Sequence, residues 1–291
     1  MAKIKTYSNP TAFRRALEDR LSKISTSEGI DIPRLRRQVS FDRLLARLFA
    51  LNPAPWVLKG GYAMQLRTPS SRGTKDVDLA IRDGKLLSED PEQQDRALSE
   101  ILLKQAALDL NDFFQFTITG PIKDINAAPY GGARFHVEAI VDARSFEKFH
   151  LDIGIGDVWV EPLETLTSRA FLDFMGLEAQ KFPVIPKEQQ FAEKIHAYSL
   201  PRDEGRQNSR VKDLVDMVLL ISAKEMDSTK LQDAIAATFK RRSTHEFNST
   251  LATPPTNWSA PFADLAKECT ISTEMDSAFQ LVQTFIHDLK L

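Results

Sequence analysis

The sequence predicts an α+β domain with a mixed sheet, followed by a helical C-terminal domain. Up to about residue 182, short alternating apolar segments, typical of strands, are interleaved with helical segments. After Pro183 and Pro186 the apolar residues recur at helical spacing almost to the end. We therefore predict two domains, residues 1–182 and residues 183–291.

The composition limits the class of protein. The chain has 291 residues, of which 42% are hydrophobic and 27% charged, and a net charge of -2. This balance argues against a protein that wraps nucleic acid through bulk positive charge, although it leaves room for a local basic patch. The single cysteine, Cys269, fits a reducing compartment and is interpreted as a buried small side chain. Without an apolar run of ~20 residues or a signal-peptide pattern, we expect a cytoplasmic protein that does not contact a membrane.

Two helices are predicted at the N-terminus. Asn9 and Pro10 are typical of a helix start, and this helix should reach about residue 23. A second helix is predicted over residues 33–51. Its arginines at positions 36, 43 and 47 share one face. They indicate either a solvated face or a shallow cradle for RNA phosphates.

The remaining elements follow from periodicity and turn residues. The predicted strands are 56–58, 76–82, 114–119, 134–141 and 149–155. Further helices are predicted over 62–67, 91–110, 187–200, 210–223, 229–241 and 274–289, and residues 248–261 are predicted as a loop.

Asp76 and Asp78 form the strongest candidate for chemistry. Residues two apart in a strand point to the same face, so these carboxylates lie on one face while Val77 and Leu79 point into the core. Two carboxylates ~6.6 Å apart along a strand can converge on a divalent cation. Mg²⁺ prefers oxygen ligands and usually keeps substrate phosphates in its coordination shell. The pair therefore predicts a metal site.

The strand 149–155 places a third carboxylate in the same way. Its apolar residues alternate inward, whereas His150 and Asp152 face the open side. Asp152 is predicted to bind a metal or to accept a proton from an attacking hydroxyl. Asp142 and Asp157 are nearby competitors for this role, and His150 is a weaker candidate for substrate contact.

Gly60 and Gly61 stand between the first strand and a short helix. Glycines there let the backbone approach a triphosphate closely, and the N–H groups at the helix start favour anions. With two metals and a third carboxylate, this arrangement favours in-line attack on a nucleotide phosphate.

The helical domain offers a second set of charged residues. Lys194 lies beside the apolar stripe of its helix, where it either snorkels at the surface or reaches across a cleft to a triphosphate. Asp213 and Asp216 lie off the main stripe of the next helix, and the apolar Leu220 between them indicates a partly covered face.

The motifs together resemble the polymerase-β-like nucleotidyltransferases, and more closely the AbiEii toxin family, which includes the mycobacterial MenT toxins. The resemblance spans about residues 55–220. The residues that carry it are Gly60-Gly61, Arg72, Thr74, Asp76-Val77-Asp78, Lys194 and Lys212-Asp213-Leu214-Val215-Asp216. Several toxins of the family carry serine where this chain has Gly61, so the preference for a nucleotide remains open.

The resemblance implies roles for these residues. Asp76, Asp78 and Asp152 would hold Mg²⁺ or Mn²⁺, and Asp152 would alternatively serve as general base. The triphosphate would contact Gly60, Gly61, Thr74, Lys194 and Lys212, with Asp213 orienting Lys194 or the base.

The resemblance also implies partners. The protein would be a toxin of a toxin–antitoxin or phage-defence system with a cognate antitoxin, often a winged-helix regulator. It would transfer a nucleotide from an NTP to RNA, with the 3′ end of tRNA as the expected acceptor, and so block translation. Besides Arg36, Arg43 and Arg47, the cluster Lys240-Arg241-Arg242 is a candidate tRNA contact.

Three alternatives remain open from the sequence. The acceptor would be a protein hydroxyl in an AMP or UMP transferase. An Asp-x-Asp motif with a metal also occurs in sugar transferases, although these do not explain the upstream Gly-Gly turn. In a non-enzymatic binding protein the site would be vestigial.

Overall fold

The computed structural model describes residues 7–51, 53–82, 90–124, 129, 131–202 and 207–290. Within these residues the chain forms two compact units. The first comprises residues 1–62, 73–156 and 165–183, and the second comprises residues 63–72, 157–164 and 184–291. The segments 63–72 and 157–164 thus group with the helical part of the chain. The two-domain boundary at residue 182 stays a prediction.

The first unit is built on a mixed sheet. The helices and strands from the N-terminus to the last strand are α1 (Pro10–Glu28), α2 (Ile32–Leu48), β1 (Trp56–Lys59), α3 (Gly60–Arg67), β2 (Asp76–Ile81), α4 (Pro91–Ala106), β3 (Phe114–Asp124), β4 (Gly132–Val141), β5 (Arg144–Gly154), β6 (Glu164–Thr167) and β7 (Lys181–Val184). The strand order is β3-β4-β5-β2-β1-β7-β6. β2 runs parallel to β5, whereas β1 runs antiparallel to β2, and β4 runs antiparallel to β3 and β5. The predicted α+β class with a mixed sheet is confirmed.

Local sequence signals fix several of the helix ends. The Asn9 side chain accepts a hydrogen bond from the Ala12 N–H at 2.8 Å, and Pro10 occupies the first turn, where a missing N–H costs nothing. α1 ends at Gly29, whose φ of 69° lies in the left-handed region that glycine adopts without a steric penalty. Asp31 caps α2 in the same way, accepting from Arg34.

The second unit is helical, as expected. Its helices after β7 are α5 (Lys187–Ser199), α6 (Val211–Ser222), α7 (Ser228–Arg242), α8 (Ser259–Glu268) and α9 (Met275–Asp288). Their apolar faces form one core that includes Phe191, Val215 and Val282, all fully buried. Cys269 is buried in the same core, in agreement with its interpretation as a packing residue.

Some sequence expectations about elements were wrong. β6, β7 and α8 were missed, because each is short and the start of α8 lies in a segment whose prolines favour a loop.

Among the described residues, no helix combines the length and the apolar character that crossing a bilayer requires.

Candidate active site

Asp76 and Asp78 lie on the open face of β2. Both side chains are partly exposed, whereas Val77 and Leu79 are fully buried. The alternation predicted from the sequence is therefore confirmed. It results from the period of two in a strand that buries one face.

β5 brings Asp152 beside Asp78. In the parallel pairing of β2 with β5, Asp78 is the partner of Asp152, and Asp76 is the partner of His150. Adjacent strands lie about 4.8 Å apart, so the three carboxylates are placed on two neighbouring strands. Of the predicted competitors, Asp142 bonds to Thr11 and Arg144 in the β4–β5 turn, and Asp157 pairs with Arg242 within the second unit.

The two glycines are required by close contacts with this carboxylate row. Gly60 has φ of +65°, and a Cβ there would lie 2.0 Å from Oδ2 of Asp78. A Cβ on Gly61 would lie 2.7 Å from Oγ1 of Thr74. The Gly61 N–H donates to Asp78 Oδ2 at 3.4 Å. The structure thus gives a reason for both glycines in the packing around Asp78 and Thr74, and their contact with a triphosphate stays a prediction.

The carboxylate row carries uncompensated negative charge at Asp78. Burial raises the pKa of Asp78 to about 6, and the charges of Asp152 and Asp76 add to the rise, while Lys59 opposes it. A divalent cation would relieve this repulsion, and oxygen donors are the ligands that Mg²⁺ prefers. In charge and donor chemistry, the residues present therefore fit a divalent metal.

Arg134 on β4 holds the third carboxylate. Its Nε and a terminal nitrogen donate to the two oxygens of Asp152 at 2.7 and 2.6 Å. This hydrogen bonding is the main reason why the pKa of Arg134 is raised. Among the described residues, no group of three His, Cys, Asp or Glu side chains is arranged to hold a metal ion.

His150 pairs with the first carboxylate. Its Nδ1 lies 3.0 Å from Oδ1 of Asp76, with both side chains about one-third exposed (35% each). Sequence reasoning gave no role to Arg134 and only a weak one to His150. The outward alternation of β4 was visible in the sequence, but its register against β5 was not, so these two partners could not be assigned.

The second unit contains a buried network of charged residues. Lys194 on α5 lies 2.6 Å from Asp216 and 3.3 Å from Asp213, both on α6. Arg72 donates to both oxygens of Asp216 at 3.0 and 2.7 Å. Asp216 is fully buried, and the Lys194 side chain is 9% exposed. Lys194 thus lies inside a charged network instead of snorkelling at the surface, and the role of Asp216 in that network was missed.

Lys212 lies on the exposed side of α6. The predicted phosphate contacts of Lys194 and Lys212, and the orienting role of Asp213, stay predictions.

For Arg43 and Arg47 on α2, both predicted alternatives, a solvated face and a cradle for RNA phosphates, are wrong. Arg43 and Arg47 are 5% and 1% exposed, and both pair with Asp112 at 2.7 Å. Arg36 pairs with Glu18 at 2.8 Å. Helical spacing places three arginines on one face but cannot say whether that face meets solvent or a neighbouring element. Here Arg43 and Arg47 meet the loop before β3, and Arg36 meets α1. The cluster at positions 240–242 keeps Lys240 and Arg241 exposed, while Arg242 is partly buried against Asp157.

A comparison with family models decides the family. Residues 43–281 match the model described as nucleotidyl transferase AbiEii toxin, type IV TA system. The chain belongs to the AbiEii nucleotidyltransferase toxin family. The resemblance inferred from the motifs is confirmed, and membership implies an NTP substrate and an antitoxin partner.

The fold is similar to that of a solved nucleotidyltransferase toxin. MenT4, a nucleotidyltransferase toxin from Mycobacterium tuberculosis H37Rv, is 13% identical with a TM-score of 0.53, covering 94% of this chain and 97% of that one. JHP933 from Helicobacter pylori is 15% identical with a TM-score of 0.45, covering 87% of this chain and 94% of that one. No curated protein sequence matches the chain.

Proposed function

We propose that this AbiEii-family protein transfers a nucleoside monophosphate from an NTP to the 3′ end of an RNA, with tRNA as the acceptor, and thereby blocks translation. The observation that carries this proposal is the register of β2 against β5, which sets Asp78 beside Asp152 with Asp76 on the same face. The choice of tRNA rests on the family resemblance.

Asp76 and Asp78 would hold Mg²⁺ or Mn²⁺. A bound divalent ion neutralises charge on the reacting phosphate and orients it for in-line displacement. Asp152 would join these ligands once Arg134 releases it. Arg134 donates one hydrogen bond to each oxygen of Asp152, which stabilises the ionised carboxylate and lowers its tendency to take a proton.

The donor nucleotide would lie against the glycine turn, the Gly60-Gly61 pair at which β1 ends and α3 begins. The N–H groups of Gly60 and Gly61 and the hydroxyl of Thr74 are the proposed contacts for its phosphates. Lys194 and Lys212 are the proposed cations for the outer phosphates, and Asp213 would orient Lys194, which lies 3.3 Å away. We also propose that the protein is cytoplasmic and that a cognate antitoxin neutralises it. This antitoxin would be of the winged-helix type seen with many relatives.

Incubation with each labelled NTP, total tRNA and Mg²⁺ tests this function. We expect one nucleotide to enter tRNA 3′ ends. Asp78→Asn should lower incorporation at least about 100-fold, because charge stabilisation by a metal contributes several kcal/mol to the barrier. Asp142→Asn, the same acid-to-amide change in the β4–β5 turn, is the matched control and should keep wild-type activity.

The acceptor is decided by where the label goes. No incorporation from any of the four nucleotides by folded protein would falsify the transfer reaction. Label that resists ribonuclease and follows protein would replace RNA with a protein hydroxyl as acceptor. If Asp78→Asn left the cellular effect of expression unchanged, the site would be vestigial.

A further inference from the structure

An open groove adjoins the carboxylate row on the sheet face of the first unit. Its volume is about 800 Å³. The groove is lined by residues of α2, of the β2 start and of β3, β4 and β5, among them Arg37, Asp76, Thr119, Arg134, His136 and His150. We call this the sheet-face groove. The residues proposed for the donor nucleotide do not line it.

The register of the strands explains how the groove is built. Asp76 pairs with His150, His150 with His136, and His136 with Thr119, so one row crosses four strands on the open face. Gly60 and Gly61 follow β1, on the other side of β2. The sheet therefore offers two surfaces that flank the carboxylates, one at the glycine turn and one in the groove.

Cations outnumber acids in the lining of the groove, although the chain's net charge is -2 and Arg134 is paired with Asp152. Arg37, Lys75, Arg134 and Lys148 line it together with the acids Asp76 and Glu138. Glu138 is already engaged by Lys148 at 3.5 Å. Clustered cations around a groove attract a phosphate backbone.

Two imidazole rings lie side by side in the groove, tilted relative to each other. The ring centroids of His136 and His150 lie 4.9 Å apart with an interplanar angle of 39°. His136 is exposed, and Thr117 and Thr119 present hydroxyls beside it from β3. Rings on which bases stack, next to cations that follow the backbone, are the two features by which proteins bind single-stranded nucleic acid.

We propose that the sheet-face groove binds the single-stranded 3′ end of the RNA acceptor, with His136 and His150 as the stacking surface for its terminal bases. This inference rests on the proposed function and names the site of its acceptor. The groove favours the acceptor over the donor, because it extends from Asp76 away from the glycine turn. Hydroxyls from Thr117 and Thr119 suit the ribose 2′-OH groups that distinguish RNA from DNA.

Direct titration of a 5′-labelled RNA with a free single-stranded 3′ end, without NTP, tests the groove. His136→Ala should raise the dissociation constant for RNA about 5- to 100-fold, as expected for loss of base stacking. His136→Phe keeps a flat ring, and its dissociation constant should stay within about 3-fold of wild type.

Lys148→Glu should weaken RNA binding at least about 10-fold, and Lys148→Ala should reduce the slope of log K against log salt by about 0.7. Lys104→Glu, an exposed lysine on α4 outside the groove, is the matched control and should change little.

Steady-state kinetics of the same variants separate this inference from the proposed function. We expect His136→Ala and Lys148→Glu to raise KM for RNA and leave KM for NTP unchanged. A raised KM for NTP alone would assign the groove to the donor and overturn the inference. If the wild type transfers nucleotides but His136→Ala and Lys148→Glu bind RNA as tightly as wild type, the inference is overturned and the proposed function stands. Absence of transfer to any acceptor would refute the function, and the titration would still decide whether the groove binds RNA.

Discussion

At the scale of single residues, two conditions together favour glycine at position 60. Its φ is +65°, and its Cα lies so close to Asp78 that a Cβ would overlap the carboxylate. Gly29 shares the first condition, with φ of +69°, but has nothing within 4 Å of an added Cβ. The two glycines therefore separate the cost of backbone strain from the cost of the clash.

Gly60→Ala and Gly29→Ala test this separation. Gly29→Ala should cost about 1–2 kcal/mol in the free energy of unfolding, the price of a left-handed conformation, and leave activity unchanged. Gly60→Ala should cost more and should also abolish transfer, because Asp78 must move. Urea denaturation and the incorporation assay measure both effects. Equal losses of stability with full activity in both variants would contradict the close-approach argument.

Asp78 makes stability depend on pH. Its folded pKa of about 6 lies above the ordinary value of 3.8, so its contribution to stability is present below pH 3.8 and is lost as the pH rises through about 6. In metal-free protein, Asp78→Asn should therefore be stabilised relative to wild type at pH 7.5, by on the order of 1–3 kcal/mol.

The advantage of Asp78→Asn should shrink as the pH falls towards 4, where wild type protonates. Urea titrations with a chelator at several pH values measure this difference. A difference that does not vary with pH would show that burial and the neighbouring carboxylates leave Asp78 unperturbed.

At the scale of elements, helices α5 and α6 are joined by the charged network around Asp216. Burial alone would raise the pKa of Asp216, but Lys194 and Arg72 outweigh it and leave the pKa lowered. Its contribution to stability is therefore present above pH 3.8 and is lost as the pH falls through the lowered folded value.

Asp216→Ala should destabilise the protein by about 3–5 kcal/mol, because it leaves two buried cations without their shared carboxylate. Asp264→Ala is the control: its partner Lys267 is 3.8 Å away and both side chains are mostly exposed (82% and 70%). That change should cost less than about 0.5 kcal/mol. Thermal or urea unfolding measures both, and similar small losses would mean that the network contributes little to the folded state.

The elements also mark where sequence reasoning fails. The α2 arginines have the spacing of a basic face, yet Arg43 and Arg47 bind the buried Asp112. β6 and β7 have four residues each, too few for periodicity to separate them from loops. By contrast, longer elements such as α1, which Asn9 caps, and α5, which follows Pro186, begin where the sequence predicts.

At the scale of the whole molecule, the sequence by itself determined the α+β class, the helical C-terminal part and the outward alternation of Asp76, Asp78 and Asp152. These features depend on local periodicity and on turn residues, which a single chain segment carries. Only the tertiary structure decided that Asp78 is the cross-strand partner of Asp152, that Arg134 occupies that carboxylate, and that the two histidine rings border the groove. The reason is that β2 and β5 are separated by about 70 residues, so their pairing and register are set by the packing of the complete sheet and not by either strand alone.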